Sequence, residues 1–319
     1  MPSTPLLDIA HVCKDFRGGV RANADISFQV RPGEVFGLLG HNGAGKTTLL
    51  NQVIGLLRPT SGSIRLDGAD AVADPDMARR FCSFQPQSPT PAEGLTPRQA
   101  IEMMARIRGA SRKEGRTRAD ELVAALDITE WADRKSDKLS GGVKRLAAFG
   151  MTVARPGHVV MFDEPTNDVD PVRRRLLWTQ IRELADGGSA VLLVTHNVLE
   201  AERAVDRLAV LDKGAVLAQG TPTQLRGDQA GRLRVELVSI DPAVAAELAS
   251  AFGGVVTGRR VLASIDAADC ASAIARVQRE QELGRIDEFA ITPTSLEDVY
   301  VRLVGAEAPE GVNDEALVA

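Results

Sequence analysis

The sequence predicts an α/β fold in which a parallel-sheet core is joined by a helical subdomain and a small α+β unit. Short apolar runs such as VFGLLG, HVVMFDE and AVLLVTH are each followed by helical spacing of apolar residues, which is typical of a parallel sheet covered by helices. Between about residues 91 and 150 the strand signals stop and helical patterns such as RQAIEMMARIRG replace them. After residue 227 the order βαββαβ indicates a ferredoxin-like unit.

Length and composition favour two domains. The chain has 319 residues and 44% of them are hydrophobic, which is enough for one large core and a second, smaller one. We expect a first domain at residues 1–228, with the helical subdomain at about 91–150, and a second domain at 229–306. The last segment, 307–319, is acidic and contains Pro309 and Gly311, so we expect it to be disordered.

Charge and hydropathy exclude several classes of partner. The net charge of -5 argues against attraction to nucleic acid, and no nucleic-acid partner is expected. The three cysteines are far apart in sequence, which predicts reduced thiols rather than disulfides or a metal site. No apolar run approaches the roughly 18 to 20 residues that cross a bilayer, so we expect a cytoplasmic chain that reaches a membrane only through a partner. The excess of Arg over Lys is typical of bacteria with GC-rich genomes.

A glycine-rich loop between the strand VFGLLG and the helical segment KTTLLNQVIGLL matches the phosphate-binding (P-loop) pattern G-x-x-x-x-G-K-[ST]. Its backbone N–H groups can surround phosphate oxygens, Lys46 can reach the β and γ phosphates of ATP, and Thr47 can offer its hydroxyl to Mg²⁺. An accidental glycine turn would explain neither the lysine nor the carboxylates downstream. The predicted nucleotide-binding residues here are Gly40, His41, Asn42, Gly43, Ala44, Gly45, Lys46, Thr47 and Thr48.

Two carboxylates, Asp163 and Glu164, end the apolar strand HVVMFDE. Parallel sheets bind ligands at the carboxyl ends of their strands, so this pair is expected beside the phosphate loop. Asp163 is the expected Mg²⁺ partner, and Glu164 is the candidate that orients or deprotonates the attacking water. The alternative, that Glu164 only caps the helix after Pro165, leaves Asp163 unexplained.

The segment LSGG supplies Ser140, Gly141 and Gly142, and it lies 23 residues before Asp163. Alone it could be a serine-capped helix start. Together with the phosphate loop and the DE pair it resembles the signature of the ABC ATPase family. In that family the serine and the glycine amides face the γ phosphate held by a second subunit, so the resemblance implies an ATP-sandwich dimer with another copy of this chain or a similar subunit.

The resemblance extends to further residues in the family's order. It implies that Phe16 stacks on adenine, with a core phenylalanine as the alternative, and that Gln87 contacts both Mg²⁺ and the membrane partner. It also implies that Asp170 lies in the segment that crosses the dimer interface, and that His196 contacts the γ phosphate. The expected catalytic residues are therefore Lys46, Gln87, Ser140, Glu164 and His196.

Two departures from the family pattern leave the catalytic groups intact. Val143 replaces the usual glutamine after LSGG, and the run Asn167 to Asp170 replaces the common S/G-x-L-D form. They leave room for altered turnover or altered packing at the interface.

The end of the chain, TPTSLEDVYVRLVG, resembles ATP-binding subunits of the daunorubicin-resistance type of bacterial exporter. The implied function is ATP hydrolysis that powers a separate transmembrane permease, with export of a drug-like or lipid-like compound. The alternatives are the ATPase of a nutrient importer and a soluble ABC ATPase that acts on ribosomes or DNA. A binding module without turnover would be expected to lack Glu164 or His196, and both are present.

Overall fold

The computed structural model describes residues 4–88, 94–227 and 231–305. The chain divides into two compact units, 1–221 and 222–319. The expected domain boundary after residue 228 falls outside the described residues, as does the expected tail at 307–319.

Among its described residues, the first unit contains an antiparallel sheet and a mostly parallel one. The antiparallel sheet has the strand order β2-β1-β4-β5, and the other has the order β10-β9-β3-β8-β7-β6. The strands are β1 Leu7–Asp15, β2 Arg21–Val30, β3 Val35–Leu39, β4 Ser61–Leu66, β5 Ala69–Asp70, β6 Cys82–Gln85, β7 Val159–Asp163, β8 Ala190–Thr195, β9 Arg207–Asp212 and β10 Ala215–Gly220.

The predicted parallel core is confirmed. Strands β9, β3, β8, β7 and β6 pair in parallel, and the edge strand β10 pairs antiparallel with β9. Every residue of β3, β7 and β8 is buried, which explains why these strands appear in the sequence as continuous apolar runs rather than as alternating ones. Their carboxyl ends meet at one edge of the sheet, where the chain turns into its functional loops.

Helices cover this sheet and build the helical subdomain. The helices of the first unit are α1 Lys46–Val53, α2 Pro75–Phe81, α3 Pro97–Ile107, α4 Arg112–Ala125, α5 Gly141–Val153, α6 Pro171–Asp186 and α7 Val198–Ala204. The subdomain consists of α3, α4 and α5, which pack on one another. Capping boxes begin α3 at Thr96 and α4 at Ser111, because each side chain accepts a bond from the backbone N–H three residues later.

The second unit has the predicted βαββαβ order. Its sheet is antiparallel with the strand order β12-β13-β11-β14, and α9 and α10 contribute to its buried core. Short helix α8 packs against α11. The elements are α8 Pro222–Arg226, β11 Arg232–Ser239, α9 Pro242–Phe252, β12 Val255–Thr257, β13 Arg260–Asp266, α10 Cys270–Glu282, β14 Ile286–Pro293 and α11 Leu296–Gly305.

Across the described ranges of both units, none of the helices combines the length and the apolar character needed to cross a bilayer.

Candidate nucleotide-binding site

A cavity of 310 Å³ lies at the carboxyl edge of the parallel sheet. The loop after β3, the first turn of α1 and the end of β7 all contribute side chains to it. Its lining residues are Ala22, Asn42, Gly43, Gly45, Lys46, Thr47, Thr48, Gln87, Asp163 and Glu164. Six of the nine predicted phosphate-loop residues therefore surround one space together with Gln87 and the carboxylates of Asp163 and Glu164.

The loop between β3 and α1 depends on glycine because it packs tightly on neighbouring backbone. A Cβ at Gly40 would lie 2.4 Å from the carbonyl oxygen of Leu211, and a Cβ at Gly45 would lie 2.1 Å from that of Ala22. Gly45 also has a φ of 99°, which disfavours residues with a side chain. This backbone places the first N–H groups of α1 at the cavity, where a helix N-terminus favours an anion.

The Lys46 ammonium is held inside this loop. Its Nζ donates to the carbonyl oxygens of Gly40, at 2.5 Å, and of His41, at 2.9 Å. Burial lowers the pKa of Lys46, while the nearby carboxylates of Glu164 and Asp163 act in the opposite direction. A phosphate in the cavity would offer the ammonium a fully charged partner in place of two carbonyls.

Thr47 and Asp163 bring two oxygen ligands together. The Thr47 hydroxyl donates to Asp163 Oδ2 at 2.7 Å. Burial raises the pKa of Asp163, and the bond from Thr47 opposes that rise. Within the described residues no group of three or more His, Cys, Asp and Glu side chains forms a metal cage. One carboxylate and one hydroxyl nevertheless suit Mg²⁺, which is usually bound through few protein ligands together with substrate phosphates.

Glu164 and His196 form a hydrogen-bonded pair next to these groups. His196 Nδ1 lies 2.7 Å from Glu164 Oε1. The Glu164 side chain is 2% exposed, and its other oxygen, Oε2, is buried without a hydrogen-bond partner in the described chain. Its backbone has a φ of 54°, an uncommon conformation that clusters at functional sites. One carboxylate oxygen is thus oriented by the imidazole, and the other can accept a proton.

Comparison with known proteins assigns the family. A family model described as ABC transporter matches residues 24–167. The Nod factor export ATP-binding protein I of Burkholderia thailandensis is 35% identical over 284 residues, which cover 88% of this chain and 91% of that protein. The daunorubicin/doxorubicin resistance ATP-binding protein DrrA of Streptomyces peucetius is 34% identical over 304 residues, covering 93% of this chain and 92% of that protein. This chain belongs to the ABC transporter family.

Solved structures agree with this assignment. The ATP-binding subunit of an ABC transporter matches with a TM-score of 0.65 at 28% identity, over 70% of this chain and 92% of that one. The chain is therefore an ATP-binding subunit of an ABC transporter, with ATP hydrolysis coupled to transport as its activity.

Of the two residues that the family resemblance assigns to Mg²⁺ and to adenine, Gln87 lines the cavity and Phe16 does not. Gln87 lines the cavity at the loop after β6, where its carbonyl oxygen accepts a bond from Arg145 at 2.6 Å. Phe16 lies after β1, 41% exposed, with the Lys14 ammonium 5.3 Å from the centre of its ring. It is not among the residues that line the cavity, so its contact with adenine stays a prediction.

The signature residues of this ABC subunit lie outside its own phosphate cavity. Ser140 caps α5 by accepting a bond from the Val143 N–H at 3.4 Å, and Gly141 and Gly142 form the first turn. Val143 is 6% exposed, so the apolar side chain found here in place of glutamine is packed inside the protein. Asp170 caps α6, and the bond from the Arg173 N–H lowers the pKa of its carboxyl.

Sequence reasoning missed two buried side chains that support the phosphate loop. Asn23 Nδ2 donates to the Gly45 carbonyl at 3.1 Å, and nothing in the sequence around it signals this role. Asp212 Oδ1 lies 2.7 Å from His41 Nε2. Asp212 ends the parallel strand β9, next to β3, so the rule that identified Asp163 could have found it.

Proposed function

We propose that this chain hydrolyses ATP at the cytoplasmic face of a bacterial membrane to power export of a drug-like or lipid-like compound through a separate permease. The observation that carries the proposal is the Glu164–His196 pair, whose remaining carboxylate oxygen is buried beside the phosphate loop and Asp163. Relatives named for Nod factor export and for daunorubicin/doxorubicin resistance support export over import.

Binding of ATP would use the backbone N–H groups around Gly43 to Thr48 together with the Lys46 ammonium. Thr47, Asp163 and Gln87 would hold Mg²⁺, which neutralises charge on the phosphates when it is bound. Lys46 would exchange the carbonyls of Gly40 and His41 for phosphate oxygens, and the loop backbone would then be free to adjust around the ligand.

Hydrolysis would depend on Glu164. One oxygen is oriented by His196, and the other is available to accept a proton from a water molecule that attacks the γ phosphate. Because Asp163 and Glu164 follow one another at the end of β7, the same strand fixes both the metal ligand and the base. His196, at the end of β8, is placed to hold Glu164 and to contact the γ phosphate.

The signature would complete the site of a second subunit. Ser140 and the amides at the start of α5 form an anion site that is not part of the cavity in the same chain. A dimer of two copies, or of one copy with a similar subunit, would place this site against the γ phosphate bound by the partner. Two ATP molecules would then lie between the two subunits.

The permease would dock on a groove between β6 and the helical subdomain. This cavity of 230 Å³ is lined by apolar side chains, including Ile54, Phe84, Met104 and Met151, with Arg79 and Arg108 also in its wall. Gln87 follows β6 by two residues, so movement at the groove would be transmitted to the nucleotide cavity. This provides a physical route by which nucleotide binding could act on a membrane partner.

The test is Glu164→Gln in the full chain. The amide cannot accept the proton, so hydrolysis should slow by about 10²- to 10⁴-fold while ATP binding is retained. Single-turnover hydrolysis and nucleotide titration measure the two properties separately. Glu121→Gln, at an exposed position on α4, is the control and should behave like the unaltered chain. Near-normal hydrolysis by Glu164→Gln would remove Glu164 from the proposed mechanism.

A further inference from the structure

Helix α4 ends in a turn whose left-handed position is usually occupied by glycine. The Asp127 N–H bonds to the Ala124 carbonyl at 3.1 Å and the Ile128 N–H bonds to the Val123 carbonyl at 3.0 Å, the two bonds of a Schellman motif. Asp127 occupies the left-handed position of this motif with a φ of 53°. A residue with a side chain costs roughly 1–2 kcal/mol in that conformation. The chain therefore carries a carboxylate at a backbone position that favours glycine.

That carboxylate is bound by Arg173, in the first turn of α6. Arg173 Nε donates to the Asp127 carbonyl at 2.9 Å, and a terminal nitrogen donates to Asp127 Oδ2, also at 2.9 Å. The other terminal nitrogen donates to Asp170 Oδ2 at 3.1 Å. The guanidinium also lies over the ring of Trp131, 4.7 Å from its centre. One planar side chain thus joins the end of α4 to the residue that caps α6.

The segment before α6 is held on its other side by the signature helix. A Cβ on Gly142 would lie 2.4 Å from the Asp168 carbonyl oxygen, so the two backbones are in direct contact. Residues 167–170 are thereby confined between the start of α5 and the Arg173 link. Both contacts come from the helical subdomain, which carries Ser140.

We propose that Arg173, bound to Asp127 and Trp131, is a positioning residue that makes residues 167–170 move together with the helical subdomain. The inference rests on the proposed dimer, in which Ser140 and Asp170 both face the second subunit. With the link intact, the two residues arrive at the interface in a fixed relative position. Without it, Asp170 can shift while Ser140 stays in place, so closure around ATP becomes less favourable although the phosphate cavity is unchanged.

The experiment uses full-length chains in a Glu164→Gln background, in which slow hydrolysis keeps closed dimers long enough to count. Arg173→Ala should raise the ATP concentration for half-maximal dimerisation roughly tenfold, within the range of about 5- to 150-fold that is typical of coupling between two binding sites. The affinity of the monomer for ATP should stay within about twofold, because no phosphate contact is lost. Light scattering across an ATP titration gives the first quantity, and fluorescent-nucleotide titration at low protein concentration gives the second.

Two further variants separate positioning from stability. Asp127→Gly removes the carboxylate but suits the left-handed turn, so it should impair dimerisation while leaving the thermal midpoint equal or higher. Arg175→Ala removes an exposed arginine from the same helix and should change neither measurement.

Normal dimerisation by both Arg173→Ala and Asp127→Gly would overturn the inference. A parent Glu164→Gln chain that never dimerises with ATP would instead overturn the proposed dimer, and the inference with it.

Discussion

Asp163 occupies a functional position in an environment that disfavours its charge. It is 1% exposed, and burial raises the pKa of its carboxyl despite the bond from Thr47 and the nearby charge of Lys46. Because the pKa in the folded chain lies above that in the unfolded chain, the folded state binds this proton more tightly. Stability from this group is therefore present below the unfolded pKa and is lost as pH rises through the folded pKa.

Asp163→Asn should consequently stabilise the isolated chain at pH 7. The neutral amide removes the buried charge and can still accept the hydrogen bond from Thr47. We expect the thermal midpoint to rise by roughly 2–4 °C, which corresponds to ~1 kcal/mol in a domain of this size. Thermal unfolding followed by circular dichroism measures it, and the gain should shrink as pH falls toward the ordinary value of 3.8. Asp137→Asn, at an exposed position, should leave the midpoint unchanged, and a lower midpoint for Asp163→Asn would contradict this account.

At the scale of elements, the start of α5 and the segment after β7 depend on each other. Glu164 and Asp168 both have left-handed backbone, with φ values of 54° and 63°. A Cβ added to Gly142 would lie 2.4 Å from the Asp168 carbonyl oxygen. A Cβ added to Gly141 would lie 3.8 Å from the nearest atoms of the Asp168 side chain, which is an ordinary van der Waals contact. The two signature glycines therefore differ in their packing. Within one chain, the contact with the Asp168 backbone leaves no room for a side chain at Gly142, whereas Gly141 has room for a Cβ.

Gly142→Ala should destabilise the chain by about 1–3 kcal/mol, since its methyl group would overlap backbone that cannot move aside cheaply. Gly141→Ala is the matched control. It should be neutral or stabilise by up to about 1 kcal/mol, because Ala is the better helix former and its Cβ has room. Urea unfolding of the two variants measures the difference in free energy of unfolding. Equal values would show that the contact between Gly142 and Asp168 is not tight in solution.

The elements also show where sequence reasoning succeeds and where it stops. The ends of β3, β7 and β8 were predictable because an apolar run followed by a polar group is visible in one short stretch of sequence. The Arg173–Asp127 contact was not, because its partners are 46 residues apart and lie on different helices. A 3₁₀ turn at Ala267–Asp269 precedes α10, where the apolar pattern alone predicts a helix from Ala268 to Gln281. Periodicity does not distinguish that turn from the first turn of an α-helix.

At the scale of the whole molecule, the phosphate-binding residues and the signature residues lie at two separate places in one chain. Lys46, Thr47, Asp163 and Glu164 line one cavity, whereas Ser140 caps a helix outside it. A complete site therefore needs a second subunit if Ser140 is to contact phosphate. The proposed sandwich supplies it, and in such a dimer each site combines the loop of one chain with the signature of the other.

Mixed dimers test this arrangement. Ser140→Arg places a bulky cation at the anion site, and Lys46→Ala removes the phosphate-binding charge, so each variant alone should form only defective sites. In a mixed dimer both lesions fall in one site, and the other site combines an intact loop with an intact signature. With both chains also carrying Glu164→Gln, trapped radiolabelled ATP measures closure, and we expect about one nucleotide for each mixed dimer. Occlusion by the mixture but by neither variant alone is the expected result. Normal occlusion by the Ser140→Arg homodimer would contradict the shared site, because a bulky cation there should prevent closure around the γ phosphate.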